Sequence, residues 1–152
     1  MWVDDAPNSN DGNFELGQAV VEASKRGFTD IIRLLHQRGA ALTVRSNDGM
    51  SPLHDAAYGC HEDTVRFLLL EGTDPNKLDN SGRSPSFCGC ESGSDAIVAL
   101  LREKGASVTR ANSEGQTLLH LAVSRGNVDV VQRLIHTAVL FNSGCWIRAR
   151  EA

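Results

Sequence analysis

The sequence predicts an all-α solenoid, a stack of antiparallel helix pairs that recurs along the chain. Gly49, Gly82 and Gly115 stand 33 residues apart (82−49 and 115−82), and Gly39, Gly72 and Gly105 keep the same step (72−39 and 105−72). Within each period, apolar residues recur at helical spacing in two short stretches, neither long enough to bury its own stripe. Units of that kind must stack and share one elongated core.

Residues 1–13 are rich in Asp, Asn, Ser, Pro and Gly, with Trp2 and Val3 as their large apolar groups, and are expected to form a loose arm. From Phe14 the helical period begins. FELGQAVVEASKRG and FTDIIRLLHQRGAAL read as two short helices with a turn at Gly27, giving a first unit over about 14–46. In the second unit, about 47–79, Ser51 is placed to cap the first helix, and Pro52 suits the first helical position because its missing donor would have no partner there. Leu53, Ala56 and Ala57 share one face, the two alanines admitting a neighbouring helix closely. Val65, Phe67, Leu68 and Leu69 supply the large apolar half of the core before Gly72 ends the second helix in the left-handed conformation.

The third unit, about 80–112, repeats this with Ser84-Pro85, then Ile97, Val98, Leu100 and Leu101, then Gly105. Ser86, Phe87 and Gly89 replace Leu53, His54 and Ala56 of the second unit, so its first helix is expected to lose buried area and helix propensity. Gly89 in place of alanine should by itself cost about 0.5–1 kcal/mol. The fourth unit, about 113–140, carries Thr117-Leu118-Leu119-His120-Leu121-Ala122, Gly126, then Val130, Val131, Leu134 and Ile135. Ala138 falls where a closing glycine would stand, so the last helix is expected to run on towards Leu140, ahead of a tail over 141–152. Gly27, Gly93 and Gly126 close the first helices of their units, whereas Cys60 holds the matching place in the second, one residue after Gly59. Either Cys60 takes a positive φ at a cost of roughly 1 kcal/mol or more, or the turn shifts onto Gly59.

A period of this length containing Ser51-Pro52-Leu53-His54 followed by Ala56-Ala57 resembles the ankyrin repeat, over about Phe14 to Leu140. The resemblance implies β-hairpin-like loops between helix pairs and a long concave surface built from the hairpin tips and the outward face of each first helix. In the family that surface recognises other proteins and rarely carries catalytic groups. Aligning the units places Arg45, Asn47, Asp48, Met50 and Tyr58 on it, then Leu78, Asn80, Ser81, Arg83 and Glu91, then Ser113, Glu114, Gln116, Ser124 and Arg125. Met50, Tyr58, Leu78, Arg83 and Arg125 are the strongest candidates, because binding energy concentrates in residues that combine large area with a polar or adaptable end. Asp48, Glu91 and Glu114 lie near Arg45, Arg83 and Arg125 in the repeat frame, a mixed-charge surface suited to a polar protein partner.

The remaining features exclude more than they assign. A formal charge of −4 with both signs interspersed lacks the broad basic face that nucleic acid requires. No apolar run suits membrane insertion, and the N-terminus lacks the pattern of a signal peptide, so a cytoplasmic or nuclear location is expected. In such a compartment Cys60, Cys88, Cys90 and Cys145 are expected to be free thiols. Cys88 and Cys90 point roughly 200° apart on a helix and cannot easily chelate together; Cys90 falls at a core alanine position and Cys88 towards the variable face. His54 and His120 occupy one repeat position, where the family pattern has the ring bond to backbone near the hairpin. The other histidines considered, His36 and His136, fall in the exposed half of second helices. No phosphate-binding glycine loop appears. The expected function is a non-enzymatic protein-interaction module without cofactor or metal, a monomer acting as adaptor, scaffold or inhibitor. The alternatives are a piece of a larger ankyrin protein and, last, an enzyme with an unrecognised site.

Overall fold

Eight helices, and no strands, make up residues 9–138, the part of the chain that the computed structural model describes. They are α1 (Ser9–Arg26), α2 (Thr29–Gln37), α3 (Pro52–Tyr58), α4 (Glu62–Leu70), α5 (Pro85–Glu91), α6 (Asp95–Glu103), α7 (Leu118–Ser124) and α8, described over 128–138. The helix of the first unit starts earlier than the sequence suggested: its backbone is already helical at Ser9, five residues before Phe14. Trp2, Val3, Leu140 and the tail with Cys145 lie outside the described residues. Ala138 is helical, as the missing glycine implied.

The helices sort into two rows. Each first helix packs on the first helix of the next unit, α1 on α3, α3 on α5 and α5 on α7, and each also packs on its own partner, α1 on α2, α3 on α4 and α5 on α6. The second helices form the other row, α2 against α4 and α4 against α6. Positive φ at all six ladder glycines lets every unit turn at the same points. The connecting tips are turns rather than strands, closed by the Ser46, Asp79 and Asn112 N–H groups, which donate to the Met50, Arg83 and Gln116 carbonyls at 2.9, 2.9 and 2.8 Å.

The core is continuous through the first three units and then divides. Leu53, Ala56, Ala57, Val65 and Leu68 join Cys88, Ile97, Leu100 and Leu101 in one cluster, while Phe87, Cys90 and Val98 pack with Leu118, Ala122, Val130 and Leu134 in another. The seam falls inside α5, where Ser86 and Gly89 offer little apolar surface of their own. Gly89 is nonetheless more than a weakened alanine. A Cβ built there would stand 2.7 Å from Ile97 Cγ2, so the missing methyl is the space into which α6 packs.

Cys60 adopts φ 59°, the one positive φ at a non-glycine position among the described residues, and Gly59 stays right-handed as the C-cap of α3. The turn keeps the repeat register: the Phe28, Ser94 and Asn127 N–H groups donate to the Ala23, Gly89 and Ala122 carbonyls, and in the same way His61 donates its N–H to the Ala56 carbonyl at 3.0 Å. Its ring lies between Gly27 and Gly59, where an added Cβ would come within 2.4 Å and 2.5 Å of ring atoms. A side chain at position 59 would therefore meet the imidazole, while the left-handed step falls on Cys60, the place that Gly27, Gly93 and Gly126 hold in the other units.

Candidate protein-binding surface

The tips are built by one side chain per unit. Asp79, almost fully buried, accepts from the Ser81 and Arg83 N–H groups at 2.9 and 2.8 Å and from Arg83 Nε at 2.9 Å. Asn112 Oδ1 accepts from the Glu114 and Gln116 N–H groups, and Ser46 Oγ from Met50 N–H, in the matching turns. Short oxygen-bearing side chains suit this place because they satisfy backbone donors two and four residues on. Tip is then tied to tip: Asn80 N–H donates to the Asp48 carbonyl, Asn80 Nδ2 to the Asn47 carbonyl and Ser113 N–H to the Ser81 carbonyl, each at 3.0 Å.

His54 fastens α3 beneath these tips. The Ser51 N–H can only donate, so His54 Nδ1, 3.1 Å away, must accept, which places the ring proton on Nε2. Nε2 then donates to the Arg83 carbonyl of the next unit at 3.0 Å. Burial lowers the pKa of His54, keeping the ring in the neutral form this arrangement needs. His120 repeats the local half, receiving the Thr117 N–H on Nδ1 at 3.2 Å. His61, which sequence reasoning passed over, makes a further inter-unit tie through Nε2 to the Lys25 carbonyl at 2.9 Å. Its repeat position was the available signal, since Asn127, two periods on, donates to the Cys90 carbonyl at 2.7 Å.

Twelve of the fifteen aligned residues border two adjoining depressions. Asp48, Met50, Tyr58, Arg83 and Glu91 line the first. Asn80, Ser81, Ser113, Glu114, Gln116, Ser124 and Arg125 line the second, which shares Arg83 and Glu91. The wall between them is an ion-pair chain: Arg83 binds Asp79 at 2.9 Å and Glu91 at 3.3 Å, and Glu91 binds Arg125 at 2.8 Å. Of the three acidic residues expected beside arginines, Glu91 alone pairs with them among the described residues. Arg45, Asn47 and Leu78 border neither depression. Arg45 Nη2 donates to the Leu78 carbonyl at 2.8 Å and Asn47 gives its carbonyl to Asn80, so these residues hold the tips together. Met50 is half-buried and packs against the core, whereas Tyr58 is 55% exposed.

Cys88 corrects an expectation. It borders the first depression but is completely buried, at the place where α5 meets α3, and burial pushes its thiol up to about 12. A sulfur so protected is a wall and offers no reactive surface. Cys90 sits in the other core cluster, so the two thiols face different neighbours. Asp55, absent from the aligned set, also lines the first depression; it is 7% exposed, its Oδ2 has no hydrogen-bond partner, and burial raises its carboxyl to about 6. A larger depression lies between α2 and α4, bordered by exposed Phe28, Ile31 and Leu70 and by none of the aligned residues.

Helix pairs in a common register, tied tip to tip and open along their first helices, define a stacked-repeat scaffold. The chain belongs to the ankyrin repeat family, whose model, described as ankyrin repeats (3 copies), matches residues 4–79 and 61–143. It is 34% identical over 125 residues to human ankyrin repeat domain-containing protein 63, an alignment covering 80% of this chain and 31% of that protein. It is 30% identical over 129 residues to human B-cell lymphoma 3 protein, covering 82% of this chain and 28% of that one. Against human NF-kappa-B inhibitor alpha it is 30% identical over 133 residues, with 84% and 42% covered. The chain thus spans less than half the length of each. No helix among the described residues is long and apolar enough to cross a membrane.

Proposed function

We propose that the chain is a non-enzymatic interaction module that holds a protein partner along its hairpin tips and first helices, as adaptor, scaffold or inhibitor, in the cytoplasm or nucleus. The observation that carries this reading is the row of exposed Tyr58, Ser81, Glu114, Gln116, Ser124 and Arg125 bordering the two joined depressions. These side chains do not build the core, and both signs of charge occur among them, as Glu114 and Arg125. An acidic chain of formal charge −4 favours a protein partner over nucleic acid. One relative is by name an inhibitor, which supports that role within the class.

Affinity capture with mass spectrometry should identify the partner, and Tyr58→Ala with Arg125→Ala should abolish its recovery. Arg125 is chosen over Arg83 because Arg83 also secures its tip through Asp79. Recovery at the wild-type level would reject this face. The relation in length favours a second reading, in which the same surface serves within a longer polypeptide. A transcript encoding further domains would support it, and one encoding these residues alone would reject it.

A further inference from the structure

Resting on the reading above, we infer that the first depression takes a basic side chain of the partner, arginine or lysine, with Asp55 as its acceptor. A carboxylate that is 7% exposed ordinarily has hydrogen-bond donors around it, yet Asp55 Oδ2 has none among the described residues. The repeat itself does not require an acid here. The equivalent residues are Cys88 and Leu121 in the following units, and Glu22 in the first, which is exposed and paired with Arg26 at 2.8 Å. A buried acid with an unpartnered oxygen at this position thus belongs to the second unit, whose first helix also presents Tyr58 to solvent.

The surroundings favour a cation. Asp48 adds negative charge at the rim, and Arg83, the arginine in the wall, is already held by Asp79 and Glu91. Lys25 borders the depression and its charge acts on Asp55, but the two make no ion pair among the described residues, which leaves room for a second cation. Tyr58 offers an aromatic face of the kind on which a guanidinium or ammonium group stacks. A basic side chain entering here would gain a charge-assisted hydrogen bond where water is largely excluded, the setting in which such bonds are strongest.

A phage-displayed library of random dodecapeptides, selected on the full chain, supplies the probe. The enriched peptides should share one Arg or Lys, and the consensus decides between the two. Its replacement by norleucine should weaken binding by roughly tenfold or more, Asp55→Asn should do the same, and the two changes together should lose no more than either alone. The groups around Asp55 are Glu22 and Lys25 from α1, Asp48 from the tip, Tyr58 on its own helix, and Arg83, Cys88 and Glu91 from the third unit. Because burial raises the Asp55 carboxyl to about 6, wild-type affinity should fall between about pH 7 and about pH 5, and Asp55→Asn should remove that dependence. Asn is isosteric, and a melting curve at or above that of the wild type verifies the fold. Peptides without a basic residue, or equal affinity for Asp55→Asn, would overturn the proposal. Peptides lost on Tyr58→Ala but indifferent to Asp55→Asn would sink this inference and leave the binding face standing, whereas indifference to both, or no enrichment at all, would sink both.

Discussion

Replacing Cys60 by glycine should stabilise this protein. Cys60 is held at φ 59°, a conformation that crowds the Cβ of an L-residue against the following carbonyl and costs roughly 1–2 kcal/mol. Glycine removes that crowding but loosens the unfolded chain, returning about 0.4–1 kcal/mol of the gain. The substitution also gives up a weak S–H to carbonyl contact with Ser92 at 3.9 Å. The net expectation is about 0.5–1 kcal/mol, or roughly 1–4 °C in Tm for a chain of this size. Urea and thermal melts followed by circular dichroism measure it, with two companions. Cys60→Ala keeps the Cβ and removes the sulfur, so it should give no gain. Gly126→Ala, at φ 69° in the same repeat position with nothing within 4 Å of the added Cβ, should cost about what glycine relieves at Cys60. A Cys60→Gly protein no more stable than the wild type would refute the strained-backbone account, and an equal gain from Cys60→Ala would transfer the effect to the sulfur.

Asp55 should make stability fall as pH rises. Its folded pKa, about 6, lies above the unfolded value, so its unfavourable contribution is absent below about pH 4 and complete above about pH 6. The size is roughly 2–3 kcal/mol, read as the difference between wild type and Asp55→Asn in urea melts across that window; parallel curves would contradict it. The subtraction matters because Asp95, bound by Arg133 at 2.7 Å, has a lowered pKa and contributes in the opposite sense, losing stability as pH falls. Gly89→Ala, which helix propensity alone would favour by about 1 kcal/mol, should fail to stabilise, since the β-branched Ile97 cannot easily yield the 2.7 Å space; a raised Tm would refute that packing argument. Residues 84–93 should be the first interior segment to exchange amide hydrogens, because the apolar core divides within α5, and protection equal to that of α3 would count against a weak joint there.

The repeat register, and with it the helix pairs, the serine–proline helix starts at Ser51 and Ser84 and the large apolar core residues, was legible because each depends on residues close in sequence and on a period that any unit reveals. Fourfold repetition turns weak local signals into a strong one, and the same frame aligned the residues proposed for the binding face. The tertiary structure decided what depends on neighbours in the next unit. It packed the ring of His61 against Gly59, kept the left-handed step on Cys60, and filled the space of Gly89 with Ile97. It turned Arg45, Asn47 and Leu78 into ties between tips, and closed α3 and α5 over Cys88 and Asp55. A one-dimensional period states which positions correspond, but whether a side chain at such a position meets solvent, backbone or another ring depends on partners a full unit away, and those are fixed by packing.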